Sequence, residues 1–215
     1  MLTAAHARHL QDCLDEGGVA VFPSDTVYGL ACDPDNARAV RRLYALKGRP
    51  ACKPTAVMFF TLAQATRELT DLTAPEVAAL HALLPGPVTL LLPNRGRRFP
   101  LANSSPTGPL GVRVPHLVGP LRALVGVRCA VLASSANLAG AGDPRSLEHV
   151  PVEVRRGADL VLDGGELPGR ASTVVDLGRY TASRQWRVVR PGALGEAELR
   201  RALGQPPGGD LLADP

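Results

Sequence analysis

The sequence contains no isoleucine, and only two of its 24 basic side chains are lysines. Arginine is therefore the default cation of this chain. Both lysines, Lys47 and Lys53, nevertheless lie six positions apart with Arg49 between them. An ammonium is a compact point charge and a guanidinium is a planar fork, so the two are not interchangeable where an anion must be met at one angle. The cluster predicts an anion-binding site, and the alternative is an ordinary solvated loop.

Several motifs of known chemistry are also missing. The sequence has no GxxxxGK[ST], GxGxxG or GxSxG pattern, which excludes a P-loop, a dinucleotide fingerprint and a nucleophile elbow. A nucleophilic Ser134 or Ser135 is disfavoured because no motif identifies a base for it. The four cysteines show no CxxC spacing, which indicates reduced thiols and no zinc site.

The chain has no run of about 18 apolar residues, and its first residues carry charges where a signal peptide needs an apolar core. We therefore expect a cytoplasmic protein with no membrane association. The length of 215 residues fits one domain, which we place at 1–203, followed by a disordered tail at 204–215. A net charge of +4 favours polyanionic partners, such as nucleotides and RNA, without selecting among them.

The order of predicted elements indicates an α/β fold. A first helix (3–16) and a buried strand (19–22) are followed by a polar turn that includes Tyr28, and then by an amphipathic helix (36–47). Side chains of such a turn lie at the carboxyl end of a strand, where open α/β sheets bind ligands. Lys47 is expected in the last turn of this helix and Arg49 on the loop beyond it, both at a loop edge and not in the core.

Polar side chains recur at the ends of later predicted strands. Arg113 lies in a short apolar strand. Burial of its charge there costs free energy unless an anion or a carboxylate lies beside it. Ser172 opens one strand and Arg190 closes another, while 94–109 is loop by composition. Pairs with capping-box spacing, Thr61/Gln64 and Thr73/Glu76, predict two helices, and 117–126 is predicted as a third. The strands are predicted at 55–60, 88–93, 111–115, 129–135, 172–177 and 186–194.

Seven segments in order resemble the successive motifs of the YrdC family of threonylcarbamoyl-adenylate synthases. They are PSDTVYGLACD, LYALKGRPACKP, LPGPVTLLLP, GVRVP, SSANLAG, STVVD and VVRPGAL, and together they cover residues 10–195. The family's KxR…SxN signature is represented by Lys47, Arg49, Ser135 and Asn137.

The resemblance implies a twisted, mixed α/β sheet with helices around a large basic cavity. It implies a nucleotidyltransferase that condenses L-threonine, bicarbonate or CO2, and ATP with Mg²⁺ into threonylcarbamoyl-AMP and pyrophosphate. The product feeds the threonylcarbamoyladenosine modification of tRNA, through separate tRNA-threonylcarbamoyl transferase proteins, so any binding of tRNA or other RNA by this chain is expected to be weak.

The same resemblance assigns roles to individual residues. Lys47 and Arg49 are expected to be catalytic, and no side chain is expected to ligate a metal. The threonine or its carbamate is assigned to Thr26, Arg113, Ser135 and Ser172. ATP is assigned to Lys47, Arg49, Lys53, Asn137, Arg145 and Arg190.

The chain also departs from the family pattern. Met58 stands where two-domain members often carry a histidine near threonine, and milder changes occur at Ser24, Ala31 and Leu84. The length resembles the short, single-domain form. Two alternatives stay open: an RNA-binding module without chemistry, and an adenylating domain that uses carbamoyl phosphate, as in hydrogenase-maturation carbamoyltransferases, where it lies in a longer chain with zinc-finger-like cysteines.

Overall fold

A computed structural model describes residues 1–50, 53–103, 105 and 107–205. Most of the predicted tail and one cysteine, Cys52, lie outside this part. The helices are α1 (Ala4–Asp15), α2 (Ala37–Leu46), α3 (Leu62–Glu68), α4 (Ala74–Leu83), α5 (Val152–Gly157), α6 (Tyr180–Ser183) and α7 (Glu196–Leu203). The strands are β1 (Ala20–Pro23), β2 (Tyr28–Cys32), β3 (Ala56–Met58), β4 (Val88–Leu92), β5 (Leu110–Arg113), β6 (Val131–Ser135), β7 (Leu160–Val161), β8 (Thr173–Asp176) and β9 (Arg187–Arg190). Short 3-10 helices occur at Pro100–Ala102, Gly119–Gly126 and Leu147–His149.

The nine strands form one sheet in the order β7-β1-β2-β6-β3-β5-β4-β8-β9. Three neighbouring pairs of the described strands are parallel (β1/β7, β3/β5 and β4/β8), and the other five are antiparallel. The predicted mixed α/β sheet is therefore confirmed. Neighbours in the sheet are often distant in the chain, so the sheet brings together segments that the sequence separates.

Local capping explains where several helices begin and end. The Asn36 side chain accepts hydrogen bonds from two backbone N–H groups at the start of α2, each at 3.1 Å. Gly48, with a φ of +56°, ends that helix in the left-handed conformation that glycine tolerates best. At α3, Thr61 and Gln64 form the predicted capping box. These helix boundaries agree with the sequence prediction.

The region after β1 differs from the prediction. Tyr28–Cys32 is strand β2, which pairs antiparallel with β1, so a hairpin precedes α2. Only 24–27 forms the turn, where the Ser24 hydroxyl donates to the Val27 carbonyl at 2.8 Å. The sequence pattern did not predict this strand because it contains Gly29, and glycine is a poor strand former. Three helices also differ: 119–126 is a 3-10 helix, and α5 and α6 lie in stretches for which no helix was predicted.

The two faces of the sheet have different compositions. Side chains alternate between faces along a strand, and the cross-strand register aligns them. One face, here called the aliphatic face, carries fully buried branched side chains, and α1, α2 and α4 pack against the sheet. The opposite face, here called the open face, has small residues in its central strands. The first set includes Val21, Leu30, Val57, Leu90, Val112 and Leu132, and the second Gly29, Ala56, Gly111 and Ala133.

The thiols of Cys13, Cys32 and Cys129 are free. Burial raises the pKa of Cys32 to about 12, so this thiol is not a nucleophile at neutral pH. Within the described residues, no helix combines the length and the apolar character needed to cross a membrane.

Candidate active site

A cavity of about 340 Å³ lies against the open face of the sheet. Eight of the nine described strands contribute to its lining, from Phe22 in β1 to Arg190 in β9. The small residues of the central strands leave this space. A Cβ on Gly29 would lie 3.1 Å from the Phe22 ring, and one on Gly111 would lie 3.3 Å from Ala56 Cα. Glycine at these positions therefore sets the depth of the cavity.

Arg113, at the end of β5, shows that the sheet curls toward the open face. Its Nη2 donates to Asp25 Oδ1 and Thr26 Oγ1, both at 2.5 Å, in the turn between β1 and β2. Strands β6 and β3 separate β5 from that hairpin in the sheet, so only a curved sheet brings the two together. The Asp25 carboxylate also confirms that this arginine is met by a negative charge. Arg113 Nε is buried and has no hydrogen-bond partner.

Arg49 lies at one rim of the cavity, beside the start of β3 and the end of β6. One of its terminal nitrogens donates to the Pro54 carbonyl at 2.8 Å, and the other lies 3.4 Å from Ser134 Oγ. Its Nε is buried without a partner. The guanidinium is thus fixed by the protein and retains an unused donor.

Lys47 is the C-cap of α2 and is only 3% exposed, so the expectation that it lies outside the core is wrong. Its ammonium donates to the Ser135 carbonyl, to the Asn137 carbonyl at 2.9 Å and to Asn137 Oδ1 at 3.0 Å. Burial first and the nearby Arg49 second lower the pKa of Lys47, against an opposing effect of Asp143, to about 8 in total. The physical reason for the burial is the turn after β6, which offers the ammonium three acceptors.

Ser135 and Asn137 complete what is here called the lysine cluster, Lys47, Ser135 and Asn137. The Ser135 hydroxyl donates to Asn137 Oδ1 at 2.6 Å, and Asn137 Nδ2 donates to the Ala141 carbonyl at 2.6 Å. Ser135 also lines the cavity, whereas Lys47 and Asn137 lie behind it. The four KxR…SxN side chains are therefore contiguous, with Arg49 and Ser135 in front and the other two as support.

The opposite rim carries Ser172 and Arg190. The Ser172 hydroxyl lies 2.8 Å from Thr89 Oγ1, and an Arg190 terminal nitrogen donates to the Ser172 carbonyl at 2.8 Å. The backbone N–H of Gly86, just before β4, donates to the Val114 carbonyl, which places this rim beside Arg113. The structure therefore groups Arg190 with two residues assigned to threonine, although the sequence assigned it to ATP.

The arginines of the cavity influence one another. Burial lowers the pKa of Arg190, Asp143 raises it, and Arg113 and Arg49 lower it again. An arginine stays protonated at neutral pH in spite of such a shift. Three guanidinium groups that repel one another favour a ligand with negative charge between them.

Three further predicted residues occupy other places. Thr26 is fully buried and absent from the described lining, and its hydroxyl contacts two lining residues, Arg113 and Ser24. Lys53 is exposed and absent from the described lining. Arg145 is also absent from it and pairs with Glu166 at the surface. The roles of all three stay predictions.

Sequence reasoning assigned no role to several polar side chains around this cavity, among them Thr89, Asp25 and Asn103. Thr89 orients Ser172, Asp25 holds Arg113, and Asn103 lines the wall near the start of β5. Thr89 and Asn103 lie in segments read as plain strand and loop. Only a sheet register predicted in advance would have shown that Thr89 faces the same side as Arg113.

No group of three or more histidine, cysteine, aspartate or glutamate side chains suited to hold a metal occurs in the described residues. The described lining has six hydroxyl side chains and no carboxylate: Ser24, Thr55, Thr89, Ser134, Ser135 and Ser172. The cavity can therefore offer positive charge and hydroxyl groups to a ligand. It suits a polyanion better than a bare metal ion.

Comparison with known proteins agrees with this architecture. The Sua5_yciO_yrdC family model, described as "Telomere recombination", matches residues 12–192. Curated relatives named threonylcarbamoyl-AMP synthase include one from Pyrococcus abyssi, 32% identical over 193 residues, and one from Chromohalobacter salexigens, 37% identical over 168 residues. These alignments cover 88% and 76% of this chain. The chain spans 55% of the length of the first relative and 88% of that of the second.

A solved structure, that of Sua5 from Pyrococcus abyssi complexed with L-threonine, superposes with a TM-score of 0.79 at 29% identity. The superposition covers 99% of this chain and 60% of that one. The sequence resemblance, the nine-stranded mixed sheet and these matches lead to one conclusion. This chain belongs to the Sua5/YciO/YrdC family.

Proposed function

We propose that the chain is a threonylcarbamoyl-AMP synthase, a nucleotidyltransferase that uses ATP, L-threonine and bicarbonate or CO2. The observation that carries the proposal is the cavity on the open face, whose described lining combines three arginines and six hydroxyls with no carboxylate. Such a lining suits two anionic reactants that must approach each other. The names of the curated relatives support the same activity.

The proposed reaction has two steps. The threonine amine gives up a proton and forms a C–N bond to CO2, which yields a carbamate. A carbamate oxygen then attacks the α-phosphorus of ATP, the bond from that phosphorus to the bridging oxygen breaks, and pyrophosphate leaves with the electron pair. Both reactants are anions, so catalysis rests on holding them in line and on reducing their repulsion.

The two rims divide the work in this proposal. Arg49 and Ser134 at the first rim bind the phosphates, because both line the cavity and the Arg49 guanidinium is fixed by its hydrogen bond to the Pro54 carbonyl. Arg113 and Ser172 at the opposite rim bind threonine, and the threonine complex of Pyrococcus abyssi Sua5 supports an amino-acid site in this fold. Met58 pairs with Arg113 in the sheet register and supplies an apolar contact beside it.

The geometry favours a positioning role for Lys47 over direct contact with the substrate. Its ammonium is engaged by the turn that carries Ser135 and Asn137. In this proposal Asn137 acts in the same way, while Ser135 contacts the carbamate. Thr26 orients Arg113. We also propose that Lys53, Arg145 and Arg190 contact ATP.

Magnesium enters the proposal as a part of the ATP substrate. The described lining offers hydroxyl oxygens but no carboxylate, so ATP phosphates and water would supply most of the ligands. When bound, the ion supplies charge neutralisation at the phosphates. The protein's own contribution is the arginines that flank them.

The proposal extends to the surroundings of the enzyme. We place it in the cytoplasm, where its product would pass to tRNA-threonylcarbamoyl transferase proteins for the modification of tRNA. Weak RNA binding through the arginine-rich surface would fall steeply with added salt. An RNA-binding module would show that binding without consuming ATP.

Release of pyrophosphate from ATP in bicarbonate buffer tests the function. We expect release that requires L-threonine and bicarbonate together. Release supported by carbamoyl phosphate but not by threonine would favour the maturation-type adenylating domain. A chain that binds RNA and releases no pyrophosphate would contradict the proposal and favour the binding module.

A further inference from the structure

Asn103 is a polar residue of the cavity wall to which the proposed reaction assigns no ligand. It follows the 3-10 helix Pro100–Ala102, in a segment that the sequence marks only as loop. The residue lines the cavity, and its Nδ2 is buried with no hydrogen-bond partner among the described residues. A buried amide donor without a partner has lost its hydrogen bonds to water without replacement, so such a group beside a cavity is expected to meet a ligand.

The backbone fixes Asn103 at the rim of Arg49. The Ala102 carbonyl accepts a hydrogen bond from the Thr55 N–H at 2.9 Å, and Arg49 donates to the Pro54 carbonyl at 2.8 Å. The residue before Asn103 and the Arg49 guanidinium are therefore tied to adjacent residues, Pro54 and Thr55. The Thr55 side chain is in turn held by Tyr44 Oη at 2.8 Å. This arrangement keeps the segment in place without a ligand.

Asn103 and Arg49 also share a chemical feature. Each has a buried nitrogen donor with no partner among the described residues, Nδ2 and Nε respectively, and the described lining contains no carboxylate to counter either residue. Two unused donors at one rim, one of them cationic, match the several acceptor oxygens of a phosphate chain. The carboxylate of the amino acid lies at the other rim in the proposed function.

We propose that Asn103 is a nucleotide-binding residue, whose side-chain amide turns toward the cavity and donates a hydrogen bond to a phosphate oxygen of ATP at the Arg49 rim. The inference rests on the proposed function for the identity of the nucleotide. It adds a residue to the phosphate site that the sequence motifs do not contain. It also gives the segment after Pro100 a role in recognising ATP.

The test compares two isosteric substitutions by isothermal titration calorimetry with ATP and Mg²⁺, with inorganic pyrophosphate, and with L-threonine. Asn103→Asp replaces the donor with a negatively charged acceptor, so we expect ATP and pyrophosphate affinity to fall tenfold or more. Threonine affinity should stay within about twofold of the wild type, because hydrogen bonds at the far rim are untouched. Asn36→Asp is the matched control, since aspartate also caps a helix and α2 lies behind the cavity.

Thermal unfolding of each variant separates a binding effect from a folding effect. If Asn103→Asp unfolds early, Asn103→Ala serves instead, with an expected two- to tenfold loss of ATP affinity from one missing hydrogen bond. Unchanged ATP and pyrophosphate affinity in a folded variant would overturn the inference. So would a loss of threonine affinity alone, or a wild-type chain that binds neither ATP nor pyrophosphate.

The outcomes for the enzyme's function are distinct. A wild-type chain that binds ATP through Asn103 but releases no pyrophosphate with threonine would refute the proposed function. The inference about Asn103 would stand in that case. If the wild type is fully active and Asn103→Asp binds ATP and pyrophosphate as the wild type does, the proposed function would stand and the inference about Asn103 would be refuted.

Discussion

The two faces of this sheet are made from the same strands, yet they perform different tasks. On the aliphatic face, Val57 is fully buried between Leu132 and Val112 of the neighbouring strands. One residue earlier, Ala56 faces the cavity together with Ala133 and Gly111. Stability thus depends on large residues on one side, while binding depends on small residues and fixed cations on the other. A single substitution should therefore affect one property far more than the other.

The largest effect is expected when the cavity is filled from its floor, which tests whether the open face serves binding. Ala133→Leu adds three carbons into the space on the open face, and we expect a loss of activity of a hundredfold or more with little loss of stability. Pyrophosphate release and thermal unfolding measure the two effects. The matched control, Val57→Ala on the aliphatic face, should lower the free energy of unfolding by about 2 kcal/mol and leave the activity of the folded enzyme intact. The reverse pattern would show that the faces are wrongly assigned.

Removing one cation from the open face tests the charge rather than the shape. Arg49→Ala should lower kcat/KM for ATP by about a hundredfold, because a fixed donor to the phosphates is lost, with the fold preserved. Arg41→Ala, on an exposed position of α2, is the control and should leave kcat/KM unchanged. Steady-state kinetics with circular dichroism measure both. If the activity of Arg49→Ala is close to that of the wild type, the proposed binding of the phosphates at this rim is wrong.

Lys47 is buried behind the cavity, and Ser135 of the same lysine cluster lines it. A substitution of Lys47 should therefore affect both stability and activity. Lys47→Met leaves three acceptors of the turn without their donor and should cost about 3 kcal/mol of stability as well as activity. Denaturant unfolding measures the first and pyrophosphate release the second. A fully stable but inactive variant would instead support the direct catalytic role that the sequence predicts.

The pH dependence gives a second reading of the same cluster. The pKa of Lys47 falls to about 8 from its ordinary value of 10.5, so the unfolded chain binds more protons between those values. This residue's contribution to the stability of the wild type therefore rises with pH from about 8 to 10.5. Lys47→Met should lack this rise.

The smallest effect is expected far from the cavity, at Glu76 in α4. Its buried carboxylate accepts from both terminal nitrogens of Arg95, at 2.8 and 2.9 Å, and from Thr181. Burial raises its pKa, but these hydrogen bonds and that from Thr73 prevail and lower it to about 2. The lowered pKa means that its stabilisation is complete above about 4.5 and is lost as the pH falls toward 2.

Glu76→Gln should therefore cost about 2 kcal/mol at neutral pH and less in acid, with catalysis unchanged. Denaturant unfolding at several pH values checks the trend, and pyrophosphate release checks the activity. A variant whose deficit grows as the pH falls would contradict the assigned sign.

The sequence predicted what depends on neighbours in the chain. The caps at Asn36 and Thr61 and the stop at Gly48 are local, and the structure has them where the pattern placed them. The hairpin strand β2 was missed because glycine and a preceding polar turn conceal it. Arg113 was recognised as needing a negative partner, but Asp25 could be named only once the curvature of the sheet was known.

The candidate site was predicted less completely, for a physical reason. The open face is assembled from residues such as Gly29, Gly111 and Ala133, which are unremarkable singly and become a cavity floor only through cross-strand register. Ligands were expected at the carboxyl ends of strands, whereas the cavity lies against the face of the sheet. Lys47 was expected at the surface because charged residues usually are.

A crystal structure of the protein with L-threonine and a non-hydrolysable ATP analogue tests the central claim most directly. We expect both molecules inside the cavity on the open face, with phosphates at Arg49 and the amino acid between Arg113 and Ser172. Either molecule bound on the aliphatic face, or on a surface remote from these three residues, would contradict that claim.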